Sequence, residues 1–251
     1  MKRTSIYEYY AFGFNYGLIK QSGLFEHEKL DAIDTLEGFF EKLESLDLQV
    51  SLKVATELKK ILKKLKESED EYISEELSEV IKEEIKKIDP ALDAELQLRE
   101  AYVLEEKRYS LNKLIKTPNK LLSSGVYDNL SDTAKRDFVS ACVQIALSQP
   151  TASAFHLMRT LEEQVKMLYF GFKKTKRLEK PMWGPMTSEL KKKRSPKPSD
   201  KLLDHLDSMR VHFRNPTQHP ELFYTLDEAQ DLLNQTITAV NMIHAELPNK
   251  S

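Results

Sequence analysis

The chain has 251 residues, 40% apolar and 31% charged, too long for a minimal domain and too short for two full ones, with the balance of a soluble folded protein. Its 7 glycines and 10 prolines supply few breakers, which argues against a turn-rich β fold and for long helices. Cys142 is the single cysteine, so no intrachain disulfide can form and a reducing cytosol fits.

No window holds the roughly 20 apolar residues of a membrane span, and the basic start has no apolar core behind it. A cytoplasmic protein without a membrane partner is expected. The formal charge of −2 conceals an asymmetry: residues 1–110 hold 17 Lys+Arg against 25 Asp+Glu, and residues 111–251 hold 21 against 15. An acidic half joined to a basic half suggests two tasks, with polyanion contact assigned to the second.

Residues 1–22 carry Tyr7, Tyr9, Tyr10, Phe12, Phe14 and Tyr16, interrupted by Gly13 and Gly17. Such a run is read as core or docking contacts. From Leu24 to Asp47, Leu30, Ile33, Leu36, Phe40 and Leu43 recur at the helical period, and Val50–Glu67 continues it with Leu52, Leu58, Ile61, Leu62 and Leu65. The lysine face of that segment (Lys59, Lys60, Lys63, Lys64, Lys66) is read as solvated, with partners in the acidic stretch from Glu67 to Glu76. Another amphipathic helix runs from about Ile73 to Ile88. Asp89-Pro90 is expected to break it and to start a new helix through Leu92, Leu96, Leu111 and Leu114. Residues 1–116 thus read as antiparallel helices or a helical hairpin with coiled-coil character, suited to packing, dimerisation or partner contact.

Thr117-Pro118-Asn119 and Ser123-Ser124-Gly125 mark a change of texture, and a second domain is expected over 126–251. Helices follow at about Asp132–Gln149, with Phe138, Cys142 and Ile145 inward, and at Ala152–Phe172, with Phe155, Met158, Leu161, Val165 and Leu168 inward. A basic, proline-broken insertion comes next, containing Lys173, Lys174, Lys191, Lys192, Lys193 and Arg194. Gly171–Lys201 holds 11 basic residues against three acidic ones, too few partners to neutralise it, so a polyanion is the simplest use. Trp183 within it either stacks on a base or, by preference, anchors the loop. Ser199 caps a helix through Leu202, Leu203, Leu206, Met209 and Phe213. Thr225-Leu226-Asp227-Glu228 is a capping box that opens the last helix. The sum is an all-α chain whose C-terminal part is a four-helix bundle with a basic insertion.

Chemistry concentrates in Arg214-Asn215-Pro216-Thr217-Gln218-His219, between the last two long helices. Arginine offers a permanent cation and a planar fork for phosphate oxygens, and histidine can exchange a proton near neutrality. Asn215 followed by Pro216 is expected to cap a new turn whose free N–H groups face an anion. The bland alternative is an ordinary helix stop with cations favouring the dipole. His156, Arg159 and Glu162 share a helix face and could support the site, although His156 beside Phe155 fits packing. His205 and His212 lie seven apart, not at the i, i+4 spacing that holds zinc well, so no metal is expected.

The Arg214-to-His219 stretch resembles the Arg-x4-6-His signature of HEPN-domain ribonucleases. Thr151-Ala152-Ser153-Ala154-Phe155-His156-Leu157-Met158-Arg159-Thr160-Leu161-Glu162 and Tyr224-Thr225-Leu226-Asp227-Glu228-Ala229 are similar to helix signatures of one bacterial branch. The resemblance covers about 130–247. It implies a cofactor-free, metal-independent endoribonuclease, homodimeric and cytoplasmic, acting in bacterial defence or a toxin–antitoxin pair, with an antitoxin or defence-system protein as a further partner. His219 would move the proton, Arg214 would hold the phosphate and Asn215 would orient it. RNA, cut by its own 2′-OH, would end in a 2′,3′-cyclic phosphate. The alternative it leaves open is an inactive module that binds RNA or protein.

Overall fold

The computed structural model describes residues 5–100, 102–173, 178, 181–219 and 221–248. Among them the regular structure is helical, with one isolated bridge (Glu28 to Tyr72) and no strand. It divides into two units, Met1–Tyr102 and Val103–Ser251.

In the first unit, α1 (Ile6–Ser22) starts at Ser5, whose hydroxyl accepts the Tyr7 N–H, and ends at Gly23. Gly23 has φ +59, and a Cβ there would lie 2.2 Å from the Ser78 carbonyl oxygen, so only glycine fits. α2 (Lys29–Ser45) buries Ala32, Ile33, Leu36, Phe39, Phe40 and Leu43, the spacing of one helix face. α3 (Gln49–Val54) and α4 (Thr56–Glu67) divide at Ala55. The Glu95 carboxylate closes the N-terminus of α3, accepting the Val50 and Ser51 N–H groups at 2.9 and 2.8 Å. α5 (Glu75–Gln97) packs against α1, α3 and α4.

Several expectations meet the structure here. Pro90 does not break the helix: α5 runs through it, and because Pro90 faces solvent, the carbonyl it leaves unbonded can meet water. The first unit is not a hairpin, since turns after α1, α2 and α3 fold its helices around one core that includes Phe12, Ile19, Leu36, Phe39, Leu58, Ile81 and Ile85. The aromatic run is helical, and a helix turns only one face inward, so Phe12 is buried while Tyr7, Tyr10 and Phe14 are exposed. The lysine face of α4 is solvated as expected, but its partners are Glu57 and Glu37 rather than the acidic stretch that follows.

The boundary also differs. Leu114 and Leu122, expected before or at a linker, are buried in the second unit's core. Arg108 is the clasp: its N–H donates to Gln230 Oε1 at 2.8 Å and its guanidinium pairs with Asp227 and Asp231. A π turn (Asn112–Lys116) and a 3-10 turn (Pro118–Leu121) lead into α6 (Asp132–Ala146). Then come α7 (Pro150–Phe172), α8 (Trp183–Lys191), α9 (Asp200–Met209), the three-residue α10 (Asn215–Thr217) and α11 (Leu226–Glu246). α7 is central, packing on α6, α8 and α11. Ser199 caps α9, and the capping box of Thr225 and Glu228 opens α11. Trp183 is buried and anchors the insertion. No helix among the described residues is long and apolar enough to cross a membrane.

Two titratable groups, the buried Cys142 and the half-buried His244, give testable consequences. Burial pushes the Cys142 thiol up to about 12, so it should stay unreacted with a thiol reagent at pH 8 until denaturant is added. A stoichiometric reaction of the native protein would contradict this. His244 of α11 shares a hydrogen bond with Gln164 Oε1 of α7 at 2.9 Å, and burial holds its pKa below the ordinary 6.5. A depressed folded-state pKa contributes stability that is present above pH 6.5 and lost as pH falls through the lower folded value. Melting temperature should therefore drop more steeply below about pH 6.5 in the native protein than in His244→Gln. Parallel curves would refute it.

Candidate functional site

α9 does not stop at Arg214. From Arg210 to Arg214 the helix widens into a π turn, the Asn215 N–H reaching back to the Arg210 carbonyl, and α10 follows directly. Asn215 has helical angles (φ −67, ψ −48), so it is not the expected N-cap, and no outward-facing amide row begins there. The π register already shifts the hydrogen bonds by one residue. Pro216 falls in the first turn of α10, where its missing N–H costs little. Single π turns inside helices recur at functional sites.

The turn is braced against α7. Thr217 Oγ1 donates to the Phe213 carbonyl at 2.6 Å and meets the Tyr224 hydroxyl at 2.8 Å. The Tyr224 N–H donates to Thr151 Oγ1, in the first turn of α7, at 3.1 Å. Burial raises the Tyr224 phenol above its ordinary pKa, keeping it a neutral hydroxyl.

Arg214 is partly buried. Its Nη2 lies 3.5 Å from Glu162 Oε2, and its buried Nε has no partner. Glu162 lies on α7, where His156, Arg159 and Glu162 follow at three-residue steps. Asp137 of α6, whose side chain is only 8% exposed, holds the first two: Oδ1 is 2.8 Å from His156 Nδ1, and Oδ2 accepts Arg159 Nε–H at 3.0 Å. A buried carboxylate satisfied by both partners fixes two side chains that would otherwise swing freely. Thr133, Asp137, Arg159, Glu162, Glu163 and Lys166 line a cleft of about 260 Å³.

The structure thus brings Arg214 to Glu162, and Glu162 shares its cleft with Arg159. His219 and Asn215 are exposed, at the solvent side of the same turn. The His219 N–H donates to the Pro216 carbonyl at 2.8 Å, which sets where the imidazole starts. Pro220 lies outside the described residues. His156, read as a satisfied packing residue, is hydrogen-bonded to Asp137 and meets the Phe155 ring edge-on. Asp137 was missed, yet it has a signal: it occupies the inward phase of Ala134, Phe138, Ala141 and Cys142, where a carboxylate is out of place without partners.

The basic insertion is less free than its composition implies. Lys191 pairs with Asp207 at 2.6 Å and Asp204 at 2.9 Å, and those bonds raise its pKa. Lys173 pairs with Glu189 at 3.3 Å. Lys193 donates to the Pro196 carbonyl at 2.5 Å, while Lys192 and Arg194 are exposed. The expectation of too few acidic partners is corrected, because folding brings α8 and α9 side by side. Lys174 lies outside the described residues. His205 Nε2 is 3.4 Å from the Gln235 carbonyl, and among the described residues no group of three or more His, Cys, Asp or Glu is arranged to hold a metal.

Compared with known protein families, with curated proteins and with solved structures, the chain matches none.

Proposed function

We propose that the second unit is a HEPN-type endoribonuclease that needs no metal, working as a homodimer on RNA in bacterial defence or a toxin–antitoxin pair. The observation that carries this reading is the turn Arg210–Thr217: an irregular helical segment between α9 and α11, braced on α7, with Arg214 at its inner side and His219 at solvent. In the reaction the 2′-oxygen loses its proton and bonds to phosphorus, the bond from phosphorus to the 5′-oxygen breaks, and the leaving oxygen gains a proton. His219 serves one of those transfers. Arg214 holds the phosphate and its growing charge. Asn215, exposed beside Arg214, orients the strand. A two-fold pair would present both sets to one RNA groove, and Lys192 and Arg194 add positive charge for the backbone.

A second reading, a module that binds RNA without cutting it, is favoured by one contact: Glu162 already occupies a side of Arg214. The deciding experiment incubates the purified chain with RNA in EDTA. The nuclease reading expects products ending in 2′,3′-cyclic phosphate from RNA and none from DNA. Salt-sensitive RNA retention without products would leave the second reading.

A further inference from the structure

Phe155 was expected on the inward stripe of α7, and the structure places it outside. The residues facing the core are Ala154, Leu157, Met158, Leu161, Val165 and Leu168, whereas Phe155 is 42% exposed. A lone exposed phenylalanine is ordinary. This one has company that gives it a use. The Arg159 guanidinium sits over its ring at 5.8 Å, and the His156 ring meets it edge-on at 6.1 Å. Both polar partners are fixed by the buried Asp137 carboxylate. Arg159 is held through Nε and remains about half exposed, so its cationic head stays at the surface. A second exposed ring, Phe223 (78%), immediately precedes Tyr224, whose amide is fastened to Thr151, one helical turn before Phe155. The chain segment that carries His219 therefore also carries Phe223 to this end of α7.

We propose that Phe155 and Arg159, with Phe223 at the same end of α7, form a base-stacking subsite for single-stranded RNA beside Arg214; this deepens the nuclease reading and rests on it for the choice of RNA. An aromatic face accepts any unstacked base, an arginine plane adds cation–π attraction, and a base inside a duplex cannot reach either. The acidic neighbours are each paired, Asp137 with His156 and Arg159, Glu162 with Arg214 and Glu163 with Lys166, so the patch is close to neutral and its attraction for a base rests on the rings and the arginine plane rather than on net charge.

The test uses the full chain and a short single-stranded RNA carrying 2-aminopurine next to one 2′-deoxy linkage at the intended cut, so that binding is read without cleavage. Stacking on the protein should quench the probe. Phe155→Leu, which keeps apolar bulk and loses the π face, should weaken binding by about 5- to 150-fold and remove the quench, and Phe155→Tyr should retain both. Arg159→Gln should weaken binding in the same sense, and a duplex of the same sequence should bind less tightly than the single strand. His219→Ala should keep the quench, which separates this subsite from the chemistry: a protein that quenches but never cleaves sinks the nuclease reading alone. No quench with the native chain, an equal quench in Phe155→Leu, or duplex bound as tightly as single strand would overturn the subsite.

Discussion

Replacing His219 with alanine is expected to lower RNA cleavage by about 10²–10⁴-fold, the usual contribution of a positioned proton-transfer group. The side chain is exposed just past α10, and its hydrogen bonds there are made by backbone atoms, the N–H to the Pro216 carbonyl and the carbonyl from the Leu222 N–H, which the variant keeps. The melting temperature should therefore stay within about 1 °C of the native value, as for most surface substitutions. Loss of activity without loss of fold is what makes the result interpretable. Arg214→Ala should cost about 10²–10³-fold by removing charge stabilisation. That variant needs its own stability control, since it also strips Glu162 of its partner inside the α7 cleft. Full cleavage by His219→Ala would end the assignment of the chemistry to this turn. A cleaving Arg214→Ala beside an inactive His219→Ala would instead move the phosphate-holding role to another cation.

The largest stability effect is expected at Phe138. Its side chain is fully buried in the core between α6 and α7, and truncation to alanine should cost about 3–5 kcal/mol through lost burial and the cavity left behind. For a unit of this size that corresponds to a fall of roughly 6–20 °C in its melting temperature. Phe138→Leu, closer in volume, should cost less than about 1.5 kcal/mol. The same truncation should loosen Asp137, the adjacent residue on α6, and with it the positions of His156 and Arg159. A Phe138→Ala protein that melts within 2 °C of the native chain would show that this core repacks around the gap.

The sequence by itself determined the helical class, most helix bounds in the second unit and the place of the Arg214–His219 turn. These follow from local information: apolar residues at the 3.6 period, Ser199 and Thr225 as caps, and few glycines and prolines. It also supplied the chemistry worth looking for, because arginine and histidine carry their properties wherever they lie. Tertiary structure decided what those residues meet. Pro90 passes inside α5 because solvent lies on its side, and 103–125 joins the second unit because Leu114 and Arg108 find partners far along the chain. Lys191 and Lys173 lose their apparent freedom to acids brought near by folding, Phe155 turns outward, and Asp137 gains the two cations that let a carboxylate be buried. Periodicity says which face of a helix is apolar, but it cannot say which distant side chain will stand opposite, and a paired charge differs from a free one by that alone.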